Sequence, residues 1–198
     1  MKVYVAAVSG NSYKVKILLS LLKVQCEIVT LDISRQKMEH KAPAFLTLNP
    51  RGEVPVLEDE GVVLWDSSAC LAYIARKHGA DRWLPTDAST LAQVQQWLAL
   101  SASEIQFGLQ YGRRGVVMGR WTAGDASVCQ TLANIALATM EARLKSNDWL
   151  AAAHPTVADV ACFPYTETAQ EGNTSLEPYP AVRAWLDRCR ALPGWPAR

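Results

Sequence analysis

Two short stretches of this chain concentrate side chains that can hold or activate a ligand. Ser9-Gly10-Asn11-Ser12 sets hydroxyl and amide groups at a turn ahead of an amphipathic run, and Asp66-Ser67-Ser68-Ala69 does the same further on. Both read as helix starts, where Ser, Asn and Asp cap backbone N–H groups that the first turn leaves without partners, and where those groups attract anions. Between them lies Asn49-Pro50-Arg51-Gly52-Glu53-Val54-Pro55-Val56-Leu57. Val54 to Leu57 has strand composition, but Pro55 removes a ladder donor and so belongs at a strand start. An open strand edge at Val54 beside an anion-binding helix start is a surface suited to an extended peptide.

The elements that carry these stretches follow from composition and periodicity. The chain has 198 residues, of which 49% are hydrophobic, enough to bury a sizeable core in one large domain or two small ones. The net charge is +1 without a charge block, which argues against nucleic acid or an anionic membrane as partner. The apolar run Val3 to Val8 is too short for a signal segment, and no stretch approaches membrane-spanning length. The cysteines, Cys26, Cys70, Cys129, Cys162 and Cys189, are odd in number, scattered and without a Cys-x-x-Cys pair. That pattern predicts buried structural thiols in a reducing cytosol and no metal site.

Lys2 to Val8 reads as a strand buried on both faces, and Ser9 to Ser12 as the turn after it. Val15, Leu18, Leu19 and Leu22 then give a helical stripe, with Lys14, Lys16 and Lys23 mostly off it. Cys26 to Leu31 is a second strand, parallel to the first through a right-handed crossover. Ser34 to Leu48 reads as a loop and a short helix ending before Asn49-Pro50. Val54 to Glu58 and Gly61 to Trp65 form a hairpin, and Asp66 to Lys77 a helix stopped at Gly79. The first domain is therefore βαβ, a connection, then ββα, over residues 1–79.

Gly79 to Asp87 shifts composition and marks a domain boundary. The remainder, residues 88–198, reads as all helix. Thr90 to Tyr111 carries Leu91, Val94, Trp97, Leu98 and Ile105 on one side, and Gly112 to Gly124 is read as a loop. Asp125 caps a helix to Lys145 with Leu132, Ile135, Ala136 and Met140 near one face. Thr156 with Asp159 three residues on is a capping-box variant opening a helix that Pro164 should kink. Pro180 opens the last helix, with Val182, Trp185, Leu186 and Cys189 as its stripe.

Taken in order, Ser9-Gly10-Asn11-Ser12-Tyr13-Lys14-Val15, Asn49 to Leu57, Asp66-Ser67-Ser68-Ala69 and Pro155-Thr156-Val157-Ala158-Asp159 resemble the cytosolic glutathione transferases over nearly the whole chain. The resemblance is greatest to bacterial members with Ser or Thr, rather than Tyr, after the first strand. It implies an α/β thioredoxin-like N-terminal domain followed by an all-α C-terminal domain that carries the co-substrate side of the cleft. It also implies a cytoplasmic homodimer that uses glutathione as co-substrate, with no other cofactor, against a small electrophile or disulfide.

The roles carried over are these. Val54, before a cis Pro55, pairs with the cysteinyl backbone of glutathione. Ser67 holds the γ-glutamyl carboxylate, and Asp66 the γ-glutamyl amine, although many relatives have the longer Glu or Gln at that place. Lys41, with His40 as second choice, meets the glycyl carboxylate, and Ser12 and Glu53 complete the binding set. Ser9 or Asn11 activates the thiol, with Ser9 slightly ahead.

A free thiol has a pKa of about 8.5, and lowering it by about two units takes roughly 2.7 kcal/mol. A helix start supplies about 0.3–2 kcal/mol and one hydrogen bond to an anion about 1.5–3 kcal/mol, so the two together suffice. A glutathione-dependent disulfide reductase or peroxidase, and a binding module without turnover, are the competing readings. The absence of a Cys near Ser9 argues against a protein-thiol mechanism. Thr156 and Asp159 are expected to be a folding cap, and Trp97 and Trp185 core. Tyr111, Arg113 and Arg114 border the cleft side in the family's geometry, yet read more simply as a solvated helix end.

Overall fold

The computed structural model describes residues 1–119 and 125–197. They fall into two compact units, Met1–Ala80 together with the chain's last residues from Pro193, and Asp81–Leu192.

The first unit runs β1 (Lys2–Val5), α1 (Gly10–Leu21), β2 (Glu27–Thr30), a 3₁₀ turn (Glu39–Lys41), α2 (Pro43–Leu46), β3 (Val56–Asp59), β4 (Val62–Trp65) and α3 (Ser67–His78). The sheet order is β2-β1-β3-β4, with β1 parallel to β2 and antiparallel to β3, and β3 antiparallel to β4. This is the thioredoxin-like arrangement, and it seats the starts of α1 and α3 after β1 and β4. Its core joins Val3 and Val5 to Leu57, to Val15 and Leu18 of α1, and to Leu71 and Ile74 of α3, all buried.

Several local expectations change. β1 stops at Val5, because the Ser9 N–H turns back to the Ala6 carbonyl at 3.1 Å; Val8 is left 54% exposed. β1 is buried on one face only, since Val3 and Val5 point into the core while Lys2 and Tyr4 stay half-buried. β2 is an edge strand and mostly exposed. Lys14, expected off the apolar stripe of α1, is buried. The tail folds back on α1: Tyr13 Oη donates to the Pro196 carbonyl at 2.9 Å and Ser20 Oγ to that of Gly194 at 2.7 Å. The last residues therefore pack with the first unit instead of continuing the helical domain.

The second unit is helical. It contains α5 (Ala88–Ala102), a π turn (Ile105–Gln110), α6 (Tyr111–Met118), α7 (Asp125–Leu144), α8 (Val157–Glu167), a 3₁₀ turn (Ala169–Gly172) and α9 (Pro180–Arg190), preceded by the short α4 (Ala80–Trp83). The single helix expected over Thr90 to Tyr111 is broken. Ser103 ends α5, donating its hydroxyl to the Ala99 carbonyl at 2.7 Å, and the chain widens into the π turn. There Gly108 meets α7 so closely that a Cβ would lie 2.4 Å from the Ala133 nitrogen. Residues 112–118, read as loop, are helix α6, ending at Gly119 with φ +61°; the rest of that expected loop, residues 120–124, lies outside the described residues.

On α7 the buried face is Cys129, Ala133, Ala136, Leu137, Met140 and Leu144, and Ile135 is exposed. Ala133 is the residue of this face that meets Gly108, where the two backbones come close. Pro164 lies inside α8, which continues on both sides of it. Trp97 and Trp185 are core, and the stripe Val182, Trp185, Leu186, Cys189 is buried.

Candidate functional site

Three pieces of the first unit carry the side chains singled out above. At the start of α1, Ser9 has extended backbone and its hydroxyl accepts the Ser12 N–H at 3.2 Å, which makes it the N-cap. Accepting that bond leaves the Ser9 hydroxyl its own hydrogen to give. Ser12 is different. It is 1% exposed and its hydroxyl accepts the Ala6 N–H at 3.1 Å, tying the turn to β1. The Ser12 hydroxyl, expected in the binding set, thus faces the turn and β1 in this structure. Asn11, half-buried, reaches from the first turn of α1 toward α3.

At the start of α3, Asp66 is the N-cap, its Oδ1 accepting the Ser68 N–H at 2.8 Å. Its backbone sits at φ +75°, ψ 130°, a conformation that costs a non-glycine residue about 1–3 kcal/mol and persists only where the surroundings impose it. The Asp66 side chain is exposed, and Ser67 beside it is 5% exposed. Ser67 Oγ donates to Asn11 Oδ1 at 3.4 Å. The two helix starts, separated in sequence by β2, β3 and β4, are thereby brought to one place.

The third piece is the loop before β3. The Val54–Pro55 bond is cis, as the resemblance implies. The ladder of β3 begins at Val56, opposite Tyr4 and Trp65, so Val54 lies just outside the sheet and Pro55 is buried at the strand start. Asn49 builds the loop: Nδ2 donates to the Glu53 carbonyl at 2.8 Å, Oδ1 accepts the Arg51 N–H at 3.0 Å, and its carbonyl accepts the Gly52 N–H at 2.8 Å. Gly52 adopts φ +57°, and a Cβ there would lie 2.7 Å from the His40 carbonyl and 2.8 Å from Lys41 Nζ. Only glycine lets the Lys41 side chain cross at this point.

Lys41 Nζ donates to the Arg51 carbonyl at 2.8 Å. His40 Nδ1 is shielded from solvent without a hydrogen-bond partner among the described residues. Burial, helped by the Lys41 charge, holds His40 below the usual histidine range and keeps it neutral near pH 7. Glu53 is exposed and paired with Arg51 at 3.1 Å, and the Arg51 guanidinium lies 5.8 Å from the Trp65 ring centre.

The roles of Asn49 and Gly52 in fixing Lys41 were missed in the sequence, although Asn-Pro and Arg-Gly are turn signals that could have prompted them. The thiols are poor candidates for chemistry. Burial raises Cys26 and Cys129, pushes Cys70 up to about 12 and holds Cys189 well above the ordinary thiol range. In the second unit, Arg113 Nε pairs with Glu171 at 2.5 Å, and Tyr111 meets Phe107 edge to face at 5.1 Å.

Known proteins share this pattern. The family model for the glutathione S-transferase N-terminal domain matches residues 1–76, and that for the C-terminal domain residues 123–193. Glutathione S-transferase D7 of Anopheles gambiae is 34% identical over 178 residues, 89% of this chain and 79% of that one. Maleylacetoacetate isomerase of Pseudomonas aeruginosa is 28% identical over 199 residues, 98% of this chain and 93% of that one. The crystal structure of a glutathione S-transferase from Pseudomonas fluorescens superposes with a TM-score of 0.90 at 31% identity, covering 99% of this chain and 97% of that one.

Proposed function

The chain belongs to the glutathione S-transferase family, and from that premise we propose that it binds glutathione across the starts of α1 and α3 and activates its thiol for attack on a small electrophile. The observation that carries this reading is the approach of Ser67 Oγ to Asn11 Oδ1 at 3.4 Å, which puts an anion-binding helix start beside the turn that offers hydrogen-bond donors to a sulfur. The γ-glutamyl carboxylate is held by the Ser67 hydroxyl and the α3 backbone N–H groups, and the ammonium by the Asp66 oxygen that does not cap Ser68. Val54, outside the β3 ladder, pairs with the cysteinyl backbone, and Lys41 meets the glycyl carboxylate. Ser9 and Asn11 donate to the sulfur.

Each donor stabilises the thiolate by roughly 1.5–3 kcal/mol and the thiol by much less, so the bond acts on the thiol pKa more than on affinity. Once formed, the thiolate attacks directly, and no general base is required. The cysteines, raised by burial, support a mechanism that leaves the chain's own thiols aside. The same reading includes a homodimer and a cytoplasmic setting.

A second reading, isomerisation of a conjugated acid, is favoured by the likeness to maleylacetoacetate isomerase. There the thiolate adds to an activated double bond, a single bond rotates, and elimination returns the thiolate. Thiol consumption separates the two: a transferase consumes one glutathione per product, and an isomerase consumes none.

The test of the site is thiolate absorbance of protein-bound glutathione against pH. Ser9→Ala and Asn11→Ala should each raise the apparent thiol pKa and lower kcat/KM about 10-fold or more, with a far smaller change in affinity. A titration unmoved by either substitution would remove both residues from thiol activation and favour binding without turnover.

A further inference from the structure

A length of backbone from the far end of the sequence lies along α1 and is tied to it at two points. Building on the glutathione reading, we propose that this segment, Pro193 to Pro196, is a strap that positions Ser9 for the sulfur, with Tyr13 as the link between them. With the strap docked the bound thiol has a low pKa, and releasing the strap raises it.

The strap belongs to the first unit, although Pro196 and Tyr13 stand 183 residues apart. Ser20 Oγ donates to the Gly194 carbonyl at 2.7 Å near the end of α1, and Tyr13 Oη donates to the Pro196 carbonyl at 2.9 Å near its start. The strap thus runs against the direction of α1, from its last turn toward its first. At the first tie Gly194 takes φ +89°, and a Cβ there would lie 3.4 Å from the Ser20 carbonyl oxygen, so this bend is suited to glycine.

Tyr13 connects the strap to the site. It is buried, and its N–H donates to the Ser9 carbonyl at 3.0 Å, the bond with which α1 opens. The Ser9 hydroxyl accepts the Ser12 N–H and keeps its own hydrogen for the sulfur. Ser12 in turn ties this turn to β1 by accepting the Ala6 N–H at 3.1 Å. The turn that carries Ser9 is therefore held from two sides, by β1 through Ser12 and by the strap through Tyr13. Hydrogen bonds weaken steeply as distance and angle depart from their optimum. A small displacement of Ser9 therefore costs the thiolate more than the neutral thiol, which gains little from that bond. Tyr13 acts through Ser9 and is a positioning residue.

The experiment is thiolate absorbance of bound glutathione against pH at saturating protein, in the full chain, with affinity read by calorimetry. Tyr13→Phe keeps the ring and removes the strap bond. It should raise the bound thiol pKa by about half a unit, roughly a threefold loss of thiolate below that pKa. Turnover expressed as kcat/KM should fall about threefold and affinity should stay unchanged. Gly194→Val, whose branched side chain cannot keep φ +89°, displaces the strap and should give the same shift. Tyr13 has a further interaction besides the strap bond, and the double variant separates the two. If the strap is the route, Tyr13→Phe adds nothing to Gly194→Val. A titration unmoved by either single substitution overturns the strap, as does a shift that is additive in the double variant. A fall in stability or affinity with an unmoved titration makes the strap structural alone and also overturns the proposal. In each of these cases the glutathione reading stands, provided the unaltered protein lowers the thiol pKa. Bound glutathione that titrates at its free value in the unaltered protein removes both.

Discussion

Two helix starts in this molecule use the same vocabulary, a carboxylate with a hydroxyl, to opposite ends. At α8, Asp159 is buried and accepts from the Leu150 N–H at 3.0 Å, the Thr156 N–H at 2.9 Å and Trp185 Nε1 at 3.0 Å, while Thr156 Oγ1 accepts the Ala158 N–H at 3.2 Å. Thr156 and Asp159 form a reciprocal capping box, as their spacing suggests. At α3, Asp66 spends one oxygen on the Ser68 N–H and keeps its side chain exposed, and Ser67 holds a long bond to Asn11. One start is saturated by its own unit; the other keeps hydrogen-bonding capacity in hand and a backbone at positive φ. The difference teaches that a polar helix start is structural or functional according to how much of its bonding the fold has already used.

The comparison breaks most visibly at Asp159. Asp159→Ala should destabilise the protein by about 3 kcal/mol or more, because three buried donors lose their acceptor at about 1–3 kcal/mol each. Thr156→Ala, which removes one cap bond, should cost about 0.5–2 kcal/mol. Urea unfolding measures both, and the folded fraction of each should bind glutathione normally. Loss of binding with unchanged stability would reverse the assignment of this helix start.

Asp66→Asn sharpens the other side. The amide oxygen can still cap Ser68, so stability should change by less than about 0.5 kcal/mol, in the range of ordinary surface substitutions. Glutathione affinity should fall about 10-fold or more, as expected when one charge-assisted bond of roughly 1.5–3 kcal/mol is lost. Calorimetry that finds equal affinity would leave Asp66 as a cap alone.

A third, smaller effect concerns acid. The Lys77 ammonium, helped by Tyr73 and the N-terminal ammonium, holds Asp59 at about 2, below its ordinary 3.8. A depressed carboxylate contributes stability above its unfolded value and loses that contribution as pH falls through its folded value. Asp59→Asn should therefore flatten the part of the stability curve between pH 3.8 and about 2, read by urea midpoints at a series of pH values. Burial raises Asp159 instead, so protonating that group in acid adds stability rather than removing it. A variant that keeps the full acid loss would place its source outside Asp59.

By itself the order of residue types determined most of the architecture. Short apolar runs and the turn residues between them located the strands of the described residues, the helical stripe located the buried face of α9, and the Thr156–Asp159 spacing alone disclosed the capping box, because these signals are local and short in range. Tertiary structure decided what local signals cannot carry. Ser12 and Asn11 stand one residue apart and look alike in the sequence, yet one is turned to Ala6 and buried and the other meets Ser67, 56 residues away. The approach of Gly108 to Ala133 on α7, where a Cβ would lie 2.4 Å from the Ala133 nitrogen, is a clearance between helices that no window of sequence contains. Lys41 owes its position to the Gly52 turn and the Arg51 carbonyl, 10 residues on. A side chain's type states what it can bond, but which bond it makes is decided by the partner that the fold brings within about 3 Å.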